Sequence, residues 1–254
     1  MLYYYALLYY NINLKQIKTM KKIHLISTLI GLLAFSTLAK ADLKVVTSIK
    51  PIHSLASYIM DGVGSPGLIV DGYNSPHSFQ LKPSHAKMLE QADIIFWIGE
   101  DLENFLEKPL DTIAKKAEKI ELLEIKDIKK LKFRERNIFE EHDDHGHDAK
   151  KEEHDDHEGH GHGEYNPHIW LDPINAKIIL NEITEHLIEN DSKNASTYKS
   201  NLAKALAEID KLIIDVITET NTDLSYVVFH DAYQYYENRF NVNILGAMTV
   251  NPDA

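Results

Sequence analysis

The stretch LKVVTSIKPIHSLASYIM, residues 43–60, contains one strand and one helix, and the rest of the chain reads outward from it. Leu43 to Ser48 carries apolar and β-branched residues without strict alternation, the pattern of a strand buried on both faces of a parallel sheet. Lys50-Pro51 then opens a helix through Met60, with proline in the first turn where its missing N–H does no harm. The β–α unit recurs. Leu68-Ile69-Val70 reads as a second short strand, and the following DGYNSPH, residues 71–77, is dense in turn formers, so His77 falls on a loop. Pro83-Ser84 starts another helix with Met88 and Leu89 facing inward, and IIFWI, residues 94–98, is a third strand of continuous apolar character. A helix is expected over Phe105 to Ala117 and a fourth strand over Ile120 to Leu123. Strands alternating with helices predict an α/β fold with a parallel, helix-covered sheet.

From Glu140 to Glu164 this pattern gives way to EEHDDHGHDAKKEEHDDHEGHGHGE, which holds seven histidines, eleven acidic residues and no large apolar side chain. Such a tract cannot bury enough surface to order itself and is expected to be a disordered loop. Its histidines, His142, His145, His147, His154, His157, His160 and His162, are candidate accessory metal ligands. Regular structure resumes at NPHIWLDP, residues 166–173, where Asp172 can cap a helix whose first residue is Pro173, with His168 just ahead of it. That helix is expected to run to about Asn190. A second begins near Ser192 and ends near Asn221; Tyr198, Leu202, Ile209, Leu212, Ile213, Val216 and Ile217 recur along it at helical spacing. Its length, about 40 Å at ~1.5 Å per residue, suits a connection between two domains. Leu224 to Phe229 is then a strand that delivers His230 and Asp231 at its carboxyl end. The boundaries expected are an N-terminal lobe over 42–190, a linker helix over 191–221, and the start of a second α/β lobe over 222–254, truncated at Ala254.

The N-terminus has a different purpose. Met20, Lys21 and Lys22 precede an apolar run, Ile23 to Leu38, of 16 residues, short of the ~20 that span a bilayer. Small residues at Ala39 and Ala41 suit cleavage before Asp42, so 20–41 is expected to be a cleavable signal peptide. Residues 1–19 have no place in such a signal and are read as a misassigned extension. The mature chain is therefore expected in the periplasm. It has no cysteine, hence neither disulfides nor a thiol for a lipid anchor. A formal net charge of −12 argues against nucleic acid and anionic lipid as partners, and no stable membrane insertion is expected.

Three histidines, His77, His168 and His230, thus occupy loop, pre-cap and strand-end positions, and the carboxyl ends of strands are where open parallel sheets bind ligands. SPHSF (75–79) with LKPS (81–84), NPHIWLDP (166–173) and FHDAYQYY (229–236) resemble, in order and spacing, the three metal-binding signatures of the cluster A-I solute-binding proteins, most of all their zinc-uptake members. The resemblance runs from about Val45 to the end and includes the acidic, His-rich insertion and Asn251-Pro252. It implies two parallel-sheet lobes joined by a long rigid linker helix, with metal in the cleft. It also implies a monomeric protein that delivers its ion to an ABC transporter membrane permease driven by a cytoplasmic ATPase. Carried over by position, it makes His77, His168 and His230 the metal ligands. It leaves the fourth ligand open: Pro76 stands where some zinc members have Glu, others use an Asp of the second lobe beyond residue 254, and water or such a carboxylate would complete the shell. Asp231 and Asp172 are the expected acceptors behind the ligating rings.

Coordination chemistry points to Zn²⁺ as well, since imidazole suits zinc whereas manganese favours carboxylate oxygen, and the manganese-binding relatives typically have a carboxylate at the position of His230. The alternatives are a manganese- or iron-specific binding protein, or a periplasmic zinc buffer or chaperone working through the His-rich tract. An enzyme is not expected: there is no HExxH, and Glu237, seven residues past His230, is no evident general base. His85 and His186 are expected on helix surfaces and His53 near the cleft mouth. Tyr233, Tyr235, Tyr236 and Phe240 are expected to pack the second lobe.

Overall fold

The computed structural model describes residues 42–133 and 164–249. The expectations for the N-terminal extension, the signal peptide, the seven histidines of the tract and Asn251-Pro252 therefore lie outside the described residues.

In chain order the elements are β1 (Val45–Thr47), α1 (Lys50–Ile59), β2 (Gly67–Leu68), α2 (Pro83–Gln91), β3 (Ile94–Trp97), α3 (Glu100–Thr112) and β4 (Glu118–Glu121). After the tract come a 3-10 turn at Ile169–Leu171, α4 (Pro173–Asn190), a second 3-10 turn at Ser192–Asn194, α5 (Ala195–Glu219), β5 (Ser225–His230), α6 (Gln234–Phe240) and β6 (Asn243–Thr249). The first four strands form one parallel sheet in the order β2-β1-β3-β4. All four side chains of Ile94–Trp97 are buried, as the unbroken apolar run requires of a strand covered on both faces. Helix α1 turns Ile52, Ala56 and Ile59 into that core at i, i+4, i+7 spacing.

Helix α3 begins five residues earlier than its apolar pattern foretold, because its first turn is built by a buried carboxyl. Glu103 is fully buried, has non-helical backbone angles, and its Oε2 accepts hydrogen bonds from the amides of Ile98 and Gly99, both at 3.0 Å. Gly99, at φ 148°, lies where a Cβ would meet Glu121 Oε1 at 2.6 Å, so only glycine fits. Burial pushes the Glu103 carboxyl up to about 7, against the opposing pull of the Ser48 hydroxyl and the two amides.

Helix α5 joins two cores. Its first half buries Tyr198, Asn201 and Ala205 against the first sheet's cluster, and Asn201 Nδ2 donates to the carbonyls of Ile59 and Asp61 at the end of α1. In its second half Ile213 and Val216 pack on a separate cluster of Phe240, Val242 and Ile244. Its 25 residues span about 37 Å. The second sheet is β5 paired in parallel with β6 through the α6 crossover. Neither α6 nor β6 was assigned bounds from sequence, because their 14 residues, QYYENRF and NILGAMT, carry no clear period of either element. Among the described residues, no helix is long and apolar enough to cross a membrane. The architecture is α/β, with two parallel sheets joined by one long helix.

Candidate metal centre

His77, His168 and His230 come from three separate elements, and the fold brings a ligand atom from each within 4.8 Å of the others. His77 rides on the loop after β2. That loop is anchored downstream by Phe79, which is buried against the rings of His85 and Phe105, both with centroids at 5.3 Å. Upstream, Asn74 Nδ2 donates to Asp71 O and Lys50 Nζ to Gly72 O, while the His77 amide donates to Ser75 Oγ at 3.2 Å. His168 immediately precedes the 3-10 turn and is 5% exposed. His230 is the last residue of β5.

Nε2 of His168 and Nε2 of His230 stand 3.3 Å apart. Two nitrogens each ~2.05 Å from a zinc ion, at the tetrahedral angle, lie about 3.3 Å from one another. That pair has the spacing of one edge of a zinc coordination tetrahedron, and the ring of His77 lies with its centroid 5.6 and 5.4 Å from the other two and a ring nitrogen within 4.8 Å of theirs.

The tautomer of His168 follows from its neighbour. Asn166, 1% exposed, accepts the His168 backbone amide on Oδ1 at 3.0 Å, so the amide oxygen faces the imidazole. The same Oδ1 lies 2.8 Å from Nδ1, which must carry the ring proton and leave Nε2 with its lone pair toward the other two histidines. Burial, then the charges that His230 and His77 would carry, hold the His168 pKa down to about 3. Above that value the ring is neutral, the state that metal ligation requires.

Several expectations need correcting here. Asp172 does not sit behind a ligating ring: its Oδ1 caps α4 by accepting from the Ile174 amide at 2.9 Å, and both its oxygens take the Arg239 guanidinium at 2.8 and 2.7 Å. Asn166 holds that place for His168, unrecognised in the sequence because Asn before Pro also reads as an ordinary turn residue. Asp231 follows β5 directly, half-buried. His85 is buried at 6% exposure rather than on a helix surface; its Nδ1 accepts the Lys82 amide at 3.1 Å, closing the first turn of α2. Burial and the neighbouring Lys82 lower its pKa. His53 is half-buried under the following turn, with Nε2 3.2 Å from Pro66 O and Nδ1 3.4 Å from Ser57 Oγ. Tyr233 is exposed, and fully buried Tyr235 joins the first lobe's core instead of the second's.

His186 is half-buried and paired. Its Nδ1 lies 2.8 Å from Glu118 and its Nε2 3.2 Å from Glu182, and Glu118, His186 and Glu189 make a second set of possible ligands. With a carboxylate near each ring nitrogen, this group reads as a polar contact between α4 and β4.

A parallel-sheet lobe and a second parallel pair, joined by one long helix with three imidazoles meeting from strand-end and loop positions, define the class of metal solute-binding proteins. The chain belongs to the family described as zinc-uptake complex component A, periplasmic, whose profile matches residues 45–254. It is 43% identical over 256 residues to the high-affinity zinc uptake system protein ZnuA of Brucella abortus, covering 93% of this chain and 76% of the relative. It is 36% identical over 218 residues to the protein of the same name from Yersinia pestis, covering 84% and 68%. Among solved structures, the Zn(II)-bound ZnuA-like domain of Streptococcus pneumoniae AdcA superposes with a TM-score of 0.60 at 19% identity, covering 80% of this chain and 66% of that one. A Mn-bound periplasmic metal binding protein from Candidatus Liberibacter asiaticus superposes with a TM-score of 0.61 at 22% identity, covering 79% and 67%. The chain thus spans about three-quarters of the Brucella relative and about two-thirds of these solved chains. At such identities the structures speak for the fold alone, and that fold serves more than one metal.

Proposed function

We propose that the chain captures Zn²⁺ as cargo in the periplasm, through His77, His168 and His230, and hands it to the membrane permease of an ABC importer driven by a cytoplasmic ATPase. The observation that carries this is the convergence of three imidazoles with one pair already at the spacing of a zinc tetrahedron. Three imidazole donors favour zinc over manganese, which seeks carboxylate oxygen. The zinc-uptake relatives named above support the same cargo. On this reading the protein is a transport component rather than an enzyme. Its mature form begins at Asp42 after signal cleavage, and residues 42–190, 191–221 and 222 onward are its first lobe, linker and second lobe.

Capture begins with a ring that needs no deprotonation. His168 offers Nε2 in a fixed direction, His230 faces it from β5, and the His77 loop closes from a ligand separation of at most 4.8 Å toward about 3.3 Å. Release is the reverse, with the loop bearing His77 as the one element not built into a strand or helix end.

Proton competition tests this reading. Ligating imidazoles must be neutral, so affinity falls as pH is lowered from 7.5 to 5. Because the His168 pKa lies near 3, it contributes no proton in that window. The three rings together release at most two protons per zinc, and the logarithm of the affinity falls with a slope no steeper than about two per pH unit. A zinc titration that stays flat over the window would show that histidine does not dominate the site.

A further inference from the structure

Helix α6 starts four residues after His230, and one face of it grips the segment that carries His168 at both ends. At one end, Asn166 Nδ2 donates to Gln234 Oε1 at 3.0 Å and Tyr235 OH donates to the Asn166 carbonyl at 2.7 Å. Tyr235 is fully buried, and its hydroxyl also accepts the Leu131 amide at 3.0 Å. At the other end, Arg239, one helical turn beyond Tyr235 and on the same face, donates from Nε and Nη2 to the two oxygens of Asp172 at 2.8 and 2.7 Å. Asp172 is 1% exposed and Arg239 31%, so this is a fork-to-carboxylate pair with the carboxylate buried and the guanidinium partly open to water. His168 lies between the two anchors.

We propose that Arg239 is a positioning residue for metal capture: its paired bonds to Asp172 set how closely His230 is held to His168. The argument is geometric and rests on the zinc-capture reading. His230 belongs to the second sheet and His168 to the segment ahead of α4. Only three residues separate His230 from α6, so fixing α6 on residues 166–172 fixes one ligand relative to the other. Asn166 and Tyr235 secure the near end, where Gln234 Nε2 also donates to the Lys132 carbonyl at 3.0 Å, and Lys129 Nζ adds an exposed bond to Asn238 Oδ1. The Arg239 pair ties α6 to the buried carboxylate that caps α4, beyond His168. Without it the two Nε2 atoms would no longer be held at the tetrahedral edge in the metal-free protein, and binding would have to restore that order. Lysine cannot replace the fork, because its single ammonium lacks two parallel donors in a fixed plane and so does not set the orientation of the contact.

The test compares wild type, Arg239→Met, Arg239→Lys and His168→Ala in the full mature chain. Zn²⁺ affinity is read by chelator competition, and the visible absorption of bound Co²⁺ reports ligand geometry. Arg239→Met is expected to weaken zinc about ten- to a hundredfold, the usual effect of losing support behind a ligand, with the Co²⁺ bands reduced and shifted. Arg239→Lys is expected to fall between it and wild type. Zinc affinity within twofold of wild type and an unchanged Co²⁺ spectrum in Arg239→Met, while His168→Ala loses binding, would overturn the proposal and leave the capture reading standing. Full binding by His168→Ala would instead overturn the capture reading itself. Should Arg239→Met fail to fold, Arg239→Gln, which keeps one donor without the fork, carries the same comparison, and an unchanged affinity and spectrum there overturn the proposal.

Discussion

Replacing His168 by alanine is expected to weaken the tight zinc site by at least about a hundredfold while leaving the fold in place. The size follows from the share of the binding energy this ring carries. Zinc held by several protein ligands is bound by ~10 kcal/mol or more, so losing one of three imidazoles removes on the order of 3 kcal/mol, or two decades of affinity. His168 is the most consequential of the three because it is held neutral, oriented by Asn166 and buried. Its removal exposes no charge, and Asn166 keeps its bonds to Gln234 and the residue 168 amide. Competition against a chelator of known affinity measures the change, and an alanine variant that retains wild-type affinity would remove His168 from the site.

The second large effect concerns stability. Glu103 titrates near 7 in the folded protein and near 4.5 in an unfolded chain, so folding favours its protonated form. That contribution is fully present below pH 4.5 and is lost as pH rises to about 7, above which the folded protein must hold a buried carboxylate. The total change is about 3 kcal/mol. Glu103→Gln has the shape of the neutral acid. Its carbonyl oxygen can accept from Ile98 and Gly99, and its amide can donate toward the Ser48 hydroxyl, but it does not titrate. The variant is therefore expected to gain stability relative to wild type steadily from pH 4.5 to 7 and to keep that margin above. Denaturant unfolding of both proteins across this range measures the difference. A difference independent of pH would mean that Glu103 is ionised throughout.

The extent to which the fold and site were legible follows from which interactions are local. Strands such as Ile94–Trp97 announce themselves because a strand covered on both faces must be apolar throughout, and the Pro83 and Pro173 helix starts because proline tolerates only the first turn. The three histidines stood out by position, at a loop, a pre-cap and a strand end. What periodicity could not reveal was tertiary. Asp172 has a complete local role as a helix cap, so nothing in its surroundings in sequence pointed to Arg239, 67 residues away. Asn166 reads as a turn residue until the fold places Gln234 and Tyr235 against it. His85 and His186 occupy helix positions that sequence treats as surface, and only the packing of Phe79 and the ends of the first sheet encloses them. The pattern of apolar residues does not reveal the start of α3 because an acidic residue, Glu103, takes a core position there.

The central claim is that the ordered histidines, not the His-rich tract, make the tight site. The most direct measurement is a titration of the mature chain from Asp42, with and without residues 140–164, using Zn²⁺ in competition with Mn²⁺. One tightly held zinc per chain that survives the deletion and is not displaced by manganese is the predicted result. Loss of all tight binding when the tract is removed would contradict it.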